Sequence, residues 1–565
     1  MLIGIDLGTT NSLVGVFQDG QANLIPNALG HLLTPSMVSL ADDGSLLTGL
    51  AARERLATHP QQTVGNFKRW MGSDHQVTLG KRPMRAEELS ALILGALKAD
   101  AESYLGAPVT EAVITVPAYF NDVQRRATQT AGRLAGLKVE RLLNEPTAAG
   151  LAYGLQERKD HSTFLIFDLG GGTFDVSVLE YFEGVVEVRS SAGDTRLGGE
   201  DFVQVILERF LREAGFSGAH RDAALANKLF WRGAEQVKRD LSDRDSVELC
   251  LRIDGSDVTR VVRRADFEEG CAPLLQRLRH PIERALMDAR LRPEELDEVV
   301  LVGGATRMPM VRQLVTRLFG RLPLRTINPD ETVARGAAIQ AALKSRDAAL
   351  DEVVLTDVMP YSLGLRIGEE VNGQFYGNRF EPIIERNTPV PVSRMENFTT
   401  VGDEQTKITL DIRQGESPVA SENLQLGTLD VAVPARPKGE AAVNVRFTYD
   451  ANGLLEVEAH VPLTGLTTRR LIQRDSQAMD EATIQRTLER MKSLKIHPRD
   501  KQENAYLIHR AKRLYEDRLG QARADIGHAL THFEATLDSQ DEHQIRQARS
   551  QFKSYLDSID NGFVL

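Results

Sequence analysis

Two well-separated stretches of this chain follow one pattern, and that repetition limits the possible folds more than any other feature. Ile3-Gly4-Ile5-Asp6-Leu7-Gly8-Thr9-Thr10 and Leu165-Ile166-Phe167-Asp168-Leu169-Gly170-Gly171-Gly172-Thr173 each run an apolar strand into an aspartate and then a glycine turn. Each continues in alternation, Leu13-Val14-Gly15-Val16-Phe17 and Phe174-Asp175-Val176-Ser177-Val178, so each reads as a β-hairpin. A second pair of buried-strand patterns follows in the same order, Glu111 to Pro117 and Asp297 to Gly304. A third pair is Asn144 to Gly150 and Asn328 to Ala334, where Glu145 lies 29 residues beyond Val116 and Asp330 lies 28 beyond Val302. Any one pair is weak, because strand, glycine and helix often occur together. Three in register predict two similar α/β lobes whose glycine turns meet across a cleft.

The residues at those turns suggest what the cleft holds. A glycine turn lets backbone N–H groups approach an anion with no Cβ in the way, and two such turns would grip one polyphosphate from both sides. Asp6, Asp168 and Asp175 stand at or beside them, where carboxylates would repel phosphate unless a cation lay between. That predicts Mg2+, an oxygen-seeking ion that keeps several waters and bridges carboxylates to phosphates. An aspartate at a strand end is more often a turn or cap residue than a metal partner; the shared setting of Asp6 and Asp168 favours the metal. There is no GxxxxGK[ST] loop, and Gly170-Gly171-Gly172 leads into a strand rather than a helix, so neither a P-loop nor a dinucleotide fingerprint is supported.

Bulk properties bound the rest. The 565 residues suggest about three to five folding units. A formal charge of -11 argues against a dedicated nucleic-acid surface, which needs clustered Lys and Arg. Cys250 and Cys271 form neither a CxxC pair nor a metal-ligand spacing, and two buried free thiols are expected. The N-terminus has an acid within six residues and no basic segment, and no apolar run approaches a membrane span; a cytoplasmic protein is the expectation.

The motifs closely resemble those of the heat-shock-70 chaperone family, over essentially the whole chain. The matching stretches are Gly4 to Ser12, Val116-Pro117-Ala118-Tyr119-Phe120-Asn121-Asp122, Asn144 to Ala149, Asp168 to Ser177 and Val302 to Pro309. The resemblance implies four parts: an actin-like (ribonuclease H-like) duplicated α/β ATPase domain over 1–350, an interdomain linker over 351–357, a β-sandwich substrate-binding domain over 358–475 and an α-helical lid over 476–565. It implies ATP/ADP as nucleotide, Mg2+, and K+ as a further candidate ion. Gly8, Thr9, Thr10, Asn11, Gly170, Gly171, Gly172 and Thr173 would line the phosphates. Lys68 would be the catalytic lysine, with Thr173 also in the catalytic set. Glu145, Asp168 and Asp175 would arrange metal and attacking water, and Asp6 would complete the acidic set, the metal being held mostly through water by Asp6, Asp168 and Asp175. The adenosine would sit between Glu235, Lys238, Arg239 and Ser242 on one side and Gly303, Gly304, Arg307 and Asp330 on the other. The i, i+3, i+4 spacing of Glu235, Lys238 and Arg239 puts them on one helix face, although such a face is usually just solvated. Ala305 stands where many relatives carry a hydroxyl, so one adenine contact is expected to be missing.

Two segments are shorter than usual for the family. There is little room between Met71 and the helix near Glu87, and Ser242 to Phe267 makes a compact hairpin. The pattern most resembles the HscC branch of bacterial members, and it predicts fast spontaneous ADP release without a GrpE-type nucleotide exchange factor.

After an amphipathic helix expected around Ala337 to Leu343, the linker Asp351 to Asp357 is apolar between acids, which suggests a segment that docks conditionally, a plain edge strand being the bland alternative. By resemblance Val353, Val354, Leu355 and Asp357 carry the coupling, with Pro117 and Arg125 relaying nucleotide state; Thr356 replaces a usual Leu. The alternation after Val358 predicts a small β-sandwich. Resemblance nominates Leu365, Phe398, Val401, Ile408 and Leu410 as the peptide pocket, while at least half of them are equally well explained as core. Residues beyond Asp480 are charged and helical, with recurring apolar positions such as Leu507, Leu514, Ile526 and Phe533, and read as a lid bundle.

The function that follows is an ATP-dependent chaperone for extended apolar segments of unfolded polypeptides, a monomer served by a J-domain co-chaperone and free of nucleic acid and membrane. A small-molecule kinase on the same lobes would leave residues 358–565 unexplained, and a nucleotide-sensing scaffold would not need turnover.

Overall fold

The computed structural model describes residues 1–157, 161–182, 185–253, 256–324, 328–345, 354–371, 374–449, 455–472, 498–518, 520–538 and 542–560. Val353, the first residues of the expected linker and the first residues of the expected lid lie outside them.

The sequence pairs fall on equivalent strands of two sheets. In the first lobe the spatial order is Lys138–Asn144, Glu111–Val116, Leu2–Asp6, Asn11–Gln18, Gln21–Ile25. Leu2–Asp6 runs parallel to Glu111–Val116 and antiparallel to Asn11–Gln18. The second lobe repeats this with Glu298–Val302, His161–Leu169, Phe174–Phe182 and Val185–Asp194 in the same relations. Among the described residues, its outermost position is marked by a parallel bridge from Leu324 to Val300. The central strands are covered on both faces, which is why Phe164 to Phe167 form an unbroken apolar run, all fully buried.

Each crossover ends in a helix, Glu145–Glu157 and Thr332–Lys344, and these two pack against each other between the sheets. A Cβ on Gly336 would sit 1.8 Å from the Ala148 carbonyl oxygen, so the helices cross that closely only because Gly336 has none. The stretch Ala337 to Leu343, expected to be amphipathic, belongs to a helix buried from Thr332 to Ala342 apart from Arg335. Small residues let it lie between layers, and a helix between layers keeps no solvent face.

Residues 363–472 form two four-stranded sheets packed face to face around Leu365, Leu410, Ile412, Val445, Phe447 and Val457. Three helices, Pro498–Asp517, Gly520–Asp538 and Glu542–Asp560, enclose Leu507, Leu514, Ile526, Phe533 and Phe552. Both units rest on the lobes. Val354–Val358 adds a parallel strand to the second sheet beside Val185–Asp194, and pairs on its other side with Pro389–Val390 of the sandwich. Helix Pro498–Asp517 lies on helix Gly49–Thr58 of the first lobe.

Of the two thiols expected to be buried, only Cys271 is. Cys250 is exposed because strand Ser246–Ile253 turns Leu249 and Leu251 inward, and strict alternation puts residue 250 on the outer face. Among the described residues no helix is long and apolar enough to cross a membrane.

Candidate functional site

Between the lobes lies a cavity of roughly 680 Å³, within the range of about 300 to 1,000 Å³ usual for small-molecule sites. The first hairpin turn contributes Asp6, Gly8, Thr9, Thr10 and Asn11, and the second Asp168, Gly170, Gly171 and Thr173. Lys68 and Glu145 close the floor. Glu235, Lys238, Arg239 and Ser242 line one upper wall, and Gly303, Gly304, Arg307 and Asp330 line the other. Gly172 and Asp175 do not reach its surface; Asp175 lies behind it, 1% exposed, and accepts the Tyr119 N–H at 3.2 Å.

The two turns touch. A Cβ on Gly171 would stand 2.1 Å from the Thr10 hydroxyl oxygen, so no other residue permits this approach. The Gly8 N–H donates to Ser12 Oγ at 3.2 Å and the Gly170 N–H to the Thr173 carbonyl at 3.1 Å. These two glycines therefore shape their turns, and their own amides are already engaged. A feature absent from the sequence reading supports the second turn: Gly198-Gly199 opens helix Gly199–Glu213, and the N–H groups of Gly199 and Glu200 donate to the carbonyls of Gly170 and Gly171 at 2.9 and 2.8 Å. Gly199 and Glu200 line the cavity too. The signal was legible as a glycine pair followed by two acids, the start pattern of a helix.

Charge dominates the floor. Lys68 sits on a short 3-10 turn, Phe67–Trp70, is 3% exposed, and donates to Glu145 Oε1 at 2.6 Å. Thr115 donates its hydroxyl to Asp6 Oδ1 at 3.0 Å. One ammonium thus stands among four carboxylates. Burial, and next the charge of Glu145, pushes Asp6 up to about 7 and Asp175 up to about 8, and raises Asp168 well above the usual carboxylate range. The cluster is short of positive charge, which a divalent cation would supply. Among the described residues no three His, Cys, Asp or Glu side chains are placed to ligate a metal directly.

On the upper walls Glu235 pairs with Lys238 at 2.7 Å and Arg239 at 2.8 Å, so the shared helix face is an ion-paired one. Arg307 donates to Asp330 Oδ2 at 2.6 Å. Ala305 lines the wall and brings no hydroxyl.

A hydrogen-bonded path leads from the floor to the linker strand. Arg125 donates to Asn144 Oδ1 at 2.6 Å and to the Ala118 and Phe120 carbonyls. The Asn144 amide donates to both oxygens of Asp357, at 3.0 and 2.9 Å, and Asn144 directly precedes Glu145. Val354 and Leu355 pair with Val185 and Val186, while Pro117 closes the turn through its carbonyl, which accepts from Phe120. Two further contacts carry no sequence signal. Tyr361 donates its hydroxyl to the Tyr119 carbonyl at 3.0 Å, and Arg386 spans Asp288 and Glu416 at 2.8 and 2.7 Å.

Four of the five nominated peptide residues lie in or against one core cluster of the sandwich. Leu365 and Leu410 are core residues, 1% and 3% exposed. Phe398 and Ile408 are partly buried against that core, and Val401 is 48% exposed.

A family model described as Hsp70 protein matches the chain over residues 2–81 and 74–562.

Proposed function

Since this chain belongs to the Hsp70 family, whose members are ATP-dependent chaperones, we propose that it hydrolyses ATP in the cleft and couples turnover to capture and release of extended apolar polypeptide by the sandwich. The observation that carries this reading is the buried floor, where one lysine and four carboxylates meet beneath two touching glycine turns.

In this reading Thr9, Thr10, Asn11 and Gly171 surround the phosphates, and Thr173 offers a hydroxyl from the second turn. Asp6 and Asp168 would hold Mg2+ through water, with Asp175 behind the cavity wall adding negative charge, and the bound ion would supply the positive charge these acids lack. Lys68 faces the terminal phosphate and stabilises charge that develops there, while Glu145 holds its ammonium in place and orients the attacking water. Glu235, Lys238, Arg239 and Ser242 grip the nucleoside against Gly303, Gly304, Arg307 and Asp330.

Coupling runs through Asp357. With the linker strand in the second sheet and helix Pro498–Asp517 on the first lobe, Val401 is left in solvent and an extended peptide can enter and leave. We assign this docked arrangement to the ATP-bound, fast-exchanging state. Hydrolysis disturbs Glu145 and Asn144, frees Asp357, and lets lid and sandwich close on peptide. Unfolded clients and a J-domain co-chaperone are the partners this cycle requires.

Steady-state ATP turnover, measured with and without an unfolded client, tests the proposal. Turnover should depend on Mg2+ and rise with client; a rate indifferent to saturating apolar peptide would overturn the coupling.

A further inference from the structure

At the nucleoside end of the cavity the hydrogen-bond donors are largely engaged by the protein itself. Helix Lys228–Asp240, which carries Glu235, Lys238 and Arg239, turns over into Ser242 and Asp243, and both of these line the cavity. That turn occupies the local amides: the Ser242 N–H donates to the Arg239 carbonyl at 3.0 Å, and the N–H groups of Asp243 and Arg244 donate to the Asp240 carbonyl at 3.1 and 2.9 Å. Lys238 Nζ meets Glu235 at 2.7 Å and the Gly199 carbonyl at 3.2 Å. On the other wall Arg307 is held by Asn328 and Asp330, and Ala305 brings no hydroxyl.

Asp243 differs from the other acids on these walls. Glu235 and Asp330 are each ion-paired, whereas the Asp243 carboxylate is exposed and has neither a hydrogen-bond nor an ion-pair partner among the described residues. An ionised carboxylate only accepts hydrogen bonds, and the neighbouring Ser242 hydroxyl either donates or accepts. The corner they form is therefore rich in acceptors and suits a base that presents N–H groups.

The two purines differ on this point. Guanine carries its N1–H and its 2-amino group side by side, a pair of donors that the two oxygens of one carboxylate can accept together. Adenine presents on the same edge a bare N1, whose lone pair a carboxylate repels, and a 6-amino group. Ser242 excludes neither, since its hydroxyl can donate to adenine N1 or accept from guanine N1–H.

We propose that Asp243 is a specificity-determining residue and that the cleft takes guanine as well as adenine nucleotides, hydrolysing GTP beside ATP. The inference rests on the nucleotide cleft proposed above. The floor is unaffected, because both nucleotides bring the same ribose and triphosphate. Water adds to the γ-phosphorus, the bond from that phosphorus to the β,γ-bridging oxygen breaks, and GTP gives GDP, inorganic phosphate and the proton that water releases.

The test uses the full chain with unlabelled nucleotides, since a dye on the base would alter the edge being read. kcat/KM is measured for ATP, GTP and ITP in the parent, D243N and D243A; ITP keeps the N1–H of guanine and lacks its 2-amino group. The parent should use GTP within about tenfold of ATP, and ITP less well than GTP. In D243N the amide offers adenine N1 a donor and the 6-amino group an acceptor. The ratio should then move toward ATP by about tenfold, the scale of a hydrogen bond to a charged group weakened by exposure to water. The change should fall in KM rather than kcat. D243A should lose the use of GTP without gaining in the use of ATP. A parent that hydrolyses ATP but uses GTP more than about tenfold less well overturns the proposal, and so does a ratio that neither variant moves. A parent that hydrolyses no nucleotide removes the proposed function itself, and this inference with it.

Discussion

Lys68 on the cleft floor is 3% exposed and Val401 on the sandwich 48% exposed, and the contrast extends to everything around them. The cleft buries charge: Asp6, Glu145, Asp168 and Asp175 are packed near one ammonium, at a desolvation cost that raises three of their pKa values. The sandwich buries grease, and two of its five nominated binding residues serve as core. The difference teaches what each ligand demands. A polyphosphate has fixed charge and geometry, so its site must hold particular groups in particular places. An extended polypeptide of variable sequence offers mainly backbone and an occasional apolar side chain, so its site needs only shape and hydrophobicity.

The sharpest way to break this contrast is on the floor. Lys68→Ala leaves Glu145 without its ammonium partner and should slow single-turnover hydrolysis by about 10²- to 10³-fold with nucleotide still bound; an unchanged rate would mean the buried charge serves only the fold. The matching change in the sandwich is Leu410→Ala. It should destabilise that unit by about 2 to 5 kcal/mol in urea unfolding, because it empties core volume. A pure loss of peptide affinity at constant stability would show instead that Leu410 is a pocket residue.

The link between the regions comes next in size. Asp357→Ala removes the acceptor of Asn144, of Thr147 and of the Val358 N–H. The acceleration of peptide release by ATP, typically about 5- to 150-fold for a coupling of this kind, should collapse toward unity while ATP still binds.

The smallest effect concerns pH. In the docked lid His509 is pushed down to about 3, first by burial and then by Arg55, whose Nη1 lies 3.4 Å from its Nε2. Lys512 and His59 add to that, Asp42 opposes it, and Arg513 with Glu54 forms an ion pair nearby. A depressed histidine pKa means that docking is fully supported above the ordinary value of about 6.5 and is lost as pH falls from there toward 3. Docking should weaken about tenfold between pH 7.5 and 5.5, read by energy transfer between dyes on lid and first lobe. H509Q should flatten that dependence.

How much was legible follows the same division. The twin hairpins, the acids beside their turns and the helix face of Glu235, Lys238 and Arg239 could be read because each needs a particular residue type at a particular spacing. Gly199 and Glu200 carry a readable helix-start pattern, a glycine pair followed by two acids. Tyr361 with Tyr119, Arg386 with Asp288 and Lys228 with Pro60 and Thr63 had no signal, since their partners lie far apart in the chain and ordinary tyrosines, arginines and lysines serve. Leu365 and Leu410 could not be assigned from sequence, because an apolar alternating strand looks the same facing a core or a ligand. The Thr332–Lys344 helix looked amphipathic because a short window cannot reveal layers on both sides.

By itself the sequence determined the repeated lobe, its glycine turns and the acidic residues around them, because backbone sterics and charge chemistry act over a few neighbouring residues. Tertiary structure alone decided that Asp175 sits behind the cavity wall, that the linker joins the second sheet, and that the lid rests on the first lobe. Those outcomes depend on which surfaces meet, and burial is a property of the assembled layers that no local stretch of chain contains.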